Sequence, residues 1–123
     1  MGGRSREREI SLRSGDAVYR ALVERGFEAE AIDIREGDIA TQLQSHRFDF
    51  AFIALHGTGG EDGEIQSILE KMGIPYLGSD AQASARTFNK ITAKKIFLAS
   101  NIPTPPFEIL SASELDPTNL ICP

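Results

Sequence analysis

The chain has 123 residues, of which 41% are hydrophobic and 25% charged, and its net charge is −5 at pH 7. This is the length of one domain, and the acidic balance argues against nucleic acid or an anionic membrane as the main partner. No apolar run approaches the ~20 residues of a membrane span. The single Cys122 cannot form a disulfide within the chain, so we expect a cytoplasmic domain.

The first half of the chain alternates between helical and strand-like hydrophobic spacing. Residues 10–25 carry apolar side chains at nearly helical intervals and Gly26 follows as a stop, which predicts a helix. Residues 27–34 alternate between apolar and polar, as in a strand near a sheet edge. Residues 38–44 predict a weak short helix. Residues 48–55, FDFAFIAL, are almost continuously apolar, which predicts a strand covered on both faces.

A loop with four glycines, residues 56–63 (HGTGGEDG), separates this strand from the next helix. Residues 64–72 predict that helix, and its inward side chains are Ile65, Ile68, Leu69 and Met72. Residues 74–78, IPYLG, predict a short strand held by a proline.

Helix signals return after residue 78. We expect Ser79 to cap a helix through Phe88, and Asn89 to cap another helix through Ser100. The prolines of residues 101–110 end the helical pattern before a last strand. Strands that alternate with helices in this way predict an α/β domain with a mainly parallel sheet. Loops that follow such strands share one edge of the sheet, where ligands bind, so we expect residues 56–63 there.

Both ends of the chain are typical of a piece cut from a longer protein. Gly2 and Gly3 precede a helix, a position that normally follows a strand, yet only Met1 stands before them. At the other end, residues 119–123 (NLICP) resemble the beginning of a strand. We therefore interpret the chain as truncated, with its first strand missing.

The chemistry of the glycine loop stays open when its residues are judged one at a time. His56 is equally consistent with a histidine that bonds only backbone groups. Glu61 and Asp62 are also the acids that a helix N-terminus favours. A phosphate cradle is weakened by the lack of a Lys-Ser/Thr ending or a GxGxxG pattern, and a metal site lacks ligands.

The whole string is more specific than its parts. Residues 56–67, HGTGGEDGEIQS, resemble the signature of the D-alanine–D-alanine ligases: His-Gly, two free residues, Gly-Glu-Asp-Gly, an aliphatic residue, Gln and a small residue. The likeness continues, in the same order, over nearly the whole chain. It includes the segments GGRSREREISLRSG (2–15), MGIPYLGS (72–79), NKITAKKIF (89–97) and IPTPPF (102–107).

This resemblance implies a three-layer Rossmann-like (pre-ATP-grasp) domain at residues 1–103. Residues 104–123 would then be the linker and the start of an ATP-grasp domain. The family joins two D-alanines with ATP and Mg²⁺ (or Mn²⁺), through an acyl phosphate, to make the dipeptide of bacterial peptidoglycan. The metal ligands would lie outside this chain, so we expect the chain alone to be inactive. A homodimer is kept as an alternative, since the family is commonly dimeric.

The same resemblance assigns roles to three residues. Glu7 matches the glutamate that receives the ammonium of the first D-alanine, as a fixed carboxylate can. His56 matches the loop histidine beside the substrate, where it can donate a hydrogen bond as charge develops. We therefore expect Glu7 and His56 to be catalytic and substrate-binding. Lys90 matches a lysine that touches the nucleotide phosphates, whereas we expect Lys94 and Lys95 to be solvated helix lysines.

Some questions stay open at this point. Asn89 stands where the family usually has Asp. The second substrate is D-alanine, D-lactate or D-serine, a choice that this chain does not determine. One alternative function is a non-catalytic α/β module that binds a small molecule, and another is a purely structural domain.

Overall fold

The computed structural model describes residues 1–110. Its helices are α1 (Arg8–Glu24), α2 (Ile39–Gln44), α3 (Glu64–Met72), α4 (Ala81–Phe88) and α5 (Lys90–Ala99). Each helix was predicted, and the bounds agree to within two residues. The residues group into two compact units, Met1–Asn89 and a second unit from Lys90 onwards. The sequence-based boundary after residue 103 and the cap by Asn89 stay predictions, and Cys122 and residues 119–123 lie outside the described residues.

Pairing between extended segments is sparser than the sequence predicted. In residues 1–110 it consists of two isolated parallel bridges, Gly2 with Ile34 and Ala51 with Tyr76. The parallel direction agrees with the prediction, but the continuous strands expected over residues 27–34, 48–55 and 74–78 do not form. One reason is that Pro75 has no N–H to extend the second bridge. The last strand, expected after the prolines of residues 101–110, does not form within the described residues up to 110.

A buried side chain links the two bridged pairs in place of a backbone ladder. The Ser11 hydroxyl accepts a hydrogen bond from Gly2 N (2.8 Å) and donates one to Ala54 O (2.5 Å). Ser11 is fully buried, and both backbone groups are satisfied by the side chain of α1. The start of α1 is thereby attached to the end of the extended segment that leads to the glycine loop.

The core of the first unit lies between α2, α3 and the extended segments. Leu69 is 1% exposed, and the predicted inward side chains Ile68 and Met72 pack against the same cluster. The prediction that residues 48–55 are covered on both faces is wrong. Phe50 and Phe52 are 55% and 46% exposed, whereas the alternate residues Ala51 and Ile53 pack against the core cluster. The buried cluster consists of Ile34, Ile39, Leu43, Leu55, Ile65 and Leu69.

The cap of α4 differs from the sequence prediction. Asp80, rather than Ser79, precedes the first helical residue, and its carboxylate accepts a hydrogen bond from Ala83 N at 2.7 Å. Ser79 is one residue too early, and its carbonyl accepts a hydrogen bond from Ser84 Oγ instead. An acid at the N-cap accepts a hydrogen bond from a free backbone amide, and its negative charge interacts favourably with the helix dipole.

The second unit contains α5 and the proline-rich segment after it. Lys94, which we expected to be solvated, is half-buried and donates to Thr104 Oγ1 (2.5 Å) and Pro105 O (3.3 Å). Its ammonium also lies 5.3 Å from the centroid of the Phe107 ring, within the range of a cation–π contact. Lys94 therefore ties the proline-rich segment to its own helix. None of the helices in residues 1–110 is long and apolar enough to cross a membrane.

Candidate active site

The glycine loop at residues 56–63 follows directly on the buried Ala54 and Leu55. The His56 carbonyl accepts a hydrogen bond from Ser5 Oγ at 2.7 Å, so the segment before α1 holds the first residue of the loop. Gly60 lies so close to the preceding segment that a Cβ there would be 2.6 Å from the backbone of Leu55. A side chain at position 60 would therefore push the loop away from the segment that it follows.

The two acids of the loop bind its own backbone. The Glu61 carboxylate accepts a hydrogen bond from Gly57 N (3.0 Å), and the Asp62 carboxylate accepts from Gly59 N (2.9 Å) and Glu64 N (3.2 Å). These contacts agree with the sequence interpretation that acids precede a helix N-terminus. They also satisfy amides that glycine turns leave unpaired, so the loop is held in one conformation.

Gln66 supports the loop from inside α3. Its side chain is 7% exposed, and Nε2 donates to Gly60 O at 2.8 Å. Sequence reasoning assigned no role to Gln66, because a polar residue in a short helix is more often solvated. Its place in the family signature was the signal that could have identified it.

The Glu7 carboxylate lies beside Gly57, the residue that follows His56. A Cβ built on Gly57 would be 2.5 Å from Glu7 Oε2 and 3.2 Å from Ser5 Cβ. The carboxylate of Glu7 therefore lies against the backbone of Gly57, and a side chain at position 57 would require this carboxylate to move and a positive φ of 66° to be retained. In residues 1–110 no hydrogen bond or ion pair engages the Glu7 carboxylate, although Glu7 N is bonded to Ser5 Oγ at 3.1 Å.

The helix that carries Glu7 is anchored by the neighbouring arginine. Arg8 donates to Asp33 Oδ2 and to Ile34 O, each at 2.8 Å. The hydrogen bond from Arg8 lowers the pKa of the Asp33 carboxyl below its ordinary value. This contact fixes the start of α1 on the adjacent extended segment, and hence the position of Glu7 relative to the loop.

His56 has a polar group near each ring nitrogen. Ser14 Oγ, on α1, lies 3.0 Å from Nε2, and Glu61 Oε1 lies 3.8 Å from Nδ1. The His56 side chain is 33% exposed. Sequence analysis did not identify Ser14. The signal was present, since Glu7, Ser11 and Ser14 are spaced by four and three residues and so share one face of α1.

The third predicted site residue lies in the other compact unit. Lys90 is exposed and begins α5. A shallow pocket of about 10 Å³, room for one water molecule, is lined by residues such as Gly3, Arg35 and Thr58 and by neither Glu7 nor His56. Among residues 1–110 no group of three or more His, Cys, Asp or Glu side chains is arranged to hold a metal ion. The candidate site therefore rests on the position of the Glu7 carboxylate against Gly57, the residue after His56.

Known proteins show the same arrangement of sequence and fold. Residues 35–79 match the family model described as the D-ala D-ala ligase N-terminus. The D-alanine–D-alanine ligase of Desulforamulus reducens is 49% identical over 97% of this chain, and that of Geotalea uraniireducens is 54% identical over 89%. The chain spans 38% and 35% of the lengths of these two relatives.

Solved structures agree with the sequence comparisons. The D-alanine–D-alanine ligase of Bacillus anthracis superposes with a TM-score of 0.76 at 35% identity, covering 98% of this chain and 42% of that one. The same enzyme complexed with ATP gives a TM-score of 0.77 over 98% of this chain and 43% of that one. The similarity to these structures is consistent with an α/β domain. This chain belongs to the D-alanine–D-alanine ligase family and corresponds to the N-terminal part of those enzymes.

Proposed function

We propose that the chain is the N-terminal part of an ATP-dependent D-alanine–D-alanine ligase, and that it binds the first D-alanine of the peptidoglycan dipeptide. The observation that supports this proposal is the Glu7 carboxylate, without a partner among residues 1–110, against Gly57, the residue that follows His56. The similarity to named ligases over 97% of the chain supports it independently.

The chemistry of Glu7 and His56 matches the two charges of a very small zwitterion. D-alanine has an ammonium and a carboxylate only a few bonds apart, so a site must meet both charges at close range. Glu7 provides an anion for the ammonium, as a charge-assisted hydrogen bond. His56 provides a ring N–H on the carboxylate side, where negative charge develops as the acyl phosphate forms and collapses. Positioning of the two ends by groups on a rigid loop and a helix lowers the entropic part of the barrier.

The nucleotide and metal are proposed from the family rather than from this chain's geometry. Bound ATP supplies the phosphoryl group, and Mg²⁺ (or Mn²⁺) neutralises its charge during transfer. A solved relative holds ATP, and we propose that Lys90 contacts the nucleotide phosphates as a point charge. The resemblance assigns the metal ligands to residues outside this chain, so we propose no metal-binding role for residues 1–110.

The finer architecture also belongs to the proposal. We expect a three-layer Rossmann-like domain at residues 1–103, with a mainly parallel sheet. A cytoplasmic location fits the use of ATP and D-alanine, and a homodimer stays an alternative. We expect no ligation by the 123-residue chain on its own, which an assay of ATP hydrolysis with D-alanine tests directly.

A chimera separates the roles of the two acids at the start of α1. Residues 1–89 replace the matching part of the Bacillus anthracis ligase, and activity with ATP and D-alanine is measured. We expect Glu7→Gln to raise the KM for the first D-alanine at least about tenfold, which corresponds to about 1.4 kcal/mol of binding free energy. Glu9→Gln is the matched control, because Glu9 is an exposed acid in the first turn of the same helix.

The outcomes of this experiment distinguish the open alternatives. Equal KM values for the two variants would contradict the assignment of Glu7 and favour a structural role for this end of α1. An inactive chimera that still binds D-alanine would favour the non-catalytic binding module.

A further inference from the structure

The two ring nitrogens of His56 face groups of different chemistry. Nε2 is 3.0 Å from the hydroxyl oxygen of Ser14, within hydrogen-bond distance. Nδ1 faces the carboxylate of Glu61 at 3.8 Å, beyond a hydrogen bond but close enough for strong electrostatic interaction. A hydroxyl can donate or accept, whereas an ionised carboxylate only accepts. The two tautomers of the neutral ring therefore differ in free energy in these surroundings.

The single hydrogen of Ser14 has two possible acceptors. It can point to Ser11 O, at 3.2 Å, or to His56 Nε2. If it pointed to Ser11 O, a neutral His56 would carry its proton on Nε2 and turn the Nδ1 lone pair towards the negative charge of Glu61. If it points to Nε2, the ring proton is on Nδ1 and faces the carboxylate favourably. Electrostatics selects the second arrangement.

We propose that Ser14 is a positioning residue that orients the His56 ring and places the proton of the neutral imidazole on Nδ1. Its hydroxyl donates to Nε2 of the neutral ring. When the ring becomes charged, the same hydroxyl rotates, accepts from Nε2–H and donates to Ser11 O. The orientation of the ring is thus retained in both protonation states.

This assignment decides which ring nitrogen is available to a ligand. Ser14 occupies Nε2, and within residues 1–110 no group lies within hydrogen-bond distance of Nδ1. The donor offered to a substrate carboxylate is therefore Nδ1–H. That consequence rests on the proposed function, but the tautomer is a property of the chain itself and can be measured without substrate.

Long-range ¹H–¹⁵N correlation spectra of the ¹⁵N-labelled 123-residue chain identify which nitrogen of each histidine is protonated. A pH series first locates the range in which His56 is neutral. In that range we expect the wild-type His56 to be the Nδ1–H tautomer. In Ser14→Ala we expect the proton to move substantially to Nε2, the tautomer that a free imidazole prefers, while Ser14→Thr keeps the wild-type pattern because the hydroxyl remains.

Two references accompany the measurement. His46, the other histidine, faces Glu30 through Nδ1 at 2.7 Å, and its signals should not change in the Ser14 variants. Thr87→Val removes a helix hydroxyl that, among residues 1–110, bonds only the carbonyls of Ala83 and Ser84, and should leave His56 unchanged. This control separates the loss of the ring contact from the loss of a hydroxyl bonded to its own helix.

Each outcome decides the proposal. A neutral wild-type His56 with its proton on Nε2 overturns it, even if Ser14→Ala does not fold. Identical His56 spectra in wild type and a folded Ser14→Ala also overturn it. A shift of the tautomer in Ser14→Ala with retention in Ser14→Thr supports it. None of these results depends on ligase activity, so failure of the proposed function would be recognised separately.

Discussion

Helix α3 is flanked at each end by a glycine with a positive φ, but the first glycine is tightly packed and the second faces open space. Gly63 begins the helix with φ of 93°, and a Cβ there would be 2.4 Å from Ala81 O. Gly73 ends the helix with φ of 70°, and a Cβ there would meet nothing within 4 Å. The first glycine is required by its backbone conformation and its neighbours together, and the second by its backbone conformation alone.

This difference follows the position of the candidate site. The N-terminal end of α3 receives the glycine loop, where Asp62 bonds Glu64 N and Gln66 bonds Gly60 O. The C-terminal end is an ordinary helix stop, in which Gly73 N donates to Glu70 O and Ile74 N to Leu69 O. The same residue type therefore lies in a packed glycine loop at one end of the helix and in an open turn at the other.

The largest expected effect is that of Gly63→Ala. A β-carbon at position 63 would be strained by the left-handed backbone conformation. It would also clash with the backbone of Ala81, which no side-chain rotation relieves. We expect a loss of roughly 2–5 kcal/mol in the free energy of unfolding, or failure to fold. Urea denaturation followed by circular dichroism measures it. A smaller loss of unfolding free energy for Gly63→Ala than for Gly73→Ala would contradict the packing difference between the two ends.

A smaller effect is expected for Gly73→Ala. The space around Gly73 is open, so only the left-handed conformation opposes a β-carbon, at about 1 kcal/mol. Gly73→Asn should cost less than Gly73→Ala, since asparagine tolerates this conformation at helix ends. The same denaturation measurement applies. If Gly63→Asn were tolerated equally well, the packing difference between the two ends would be contradicted.

The smallest effect concerns the titration of Tyr76, close to the C-terminal end of α3. Its hydroxyl donates to Glu70 Oε1 at 2.7 Å, and burial together with this carboxylate raises the pKa of Tyr76 to about 12. Because the folded pKa exceeds the ordinary value of 10.0, the associated stability is fully present below pH 10 and is lost as the pH rises through about 12.

The measurement uses a variant with one tyrosine. Tyr19→Phe leaves Tyr76 as the only tyrosine of the chain, and its phenolate absorbance should reach half its final value near pH 12. Adding Glu70→Gln should move the midpoint downwards, because the anionic acceptor is removed. A midpoint at the ordinary value in the folded chain would contradict the contact between Tyr76 and Glu70.

Local signals predicted all five helices of residues 1–110. Hydrophobic spacing and glycine stops located α3 at its observed bounds, since these signals act within one or two turns. The same local reasoning failed for the cap of α4. The sequence pattern predicted Ser79, but the structure has Asp80 as the cap. Local reasoning also failed for Lys94, because its partners Thr104 and Pro105 belong to a later segment.

Exposure and strand pairing could not be predicted in the same way. The apolar run of residues 48–55 indicates an extended segment near a core, but not how many neighbours cover it. Phe50 and Phe52 are exposed, whereas the alternate residues Ala51 and Ile53 pack against the core cluster. Covering a face depends on contacts between distant parts of the chain, which a local pattern does not contain.

The sequence by itself determined the family, through the motif at residues 56–67, and the helices, through short-range periodicity. Only the tertiary structure brought the Glu7 carboxylate against Gly57 and Ser14 to the His56 ring, across 42 residues in the second case. The physical reason is range: helix periodicity is set by neighbours three or four residues apart. A site assembled from two segments exists only after Arg8, Ser11 and Ser5 have fixed α1 to the extended segments beside it.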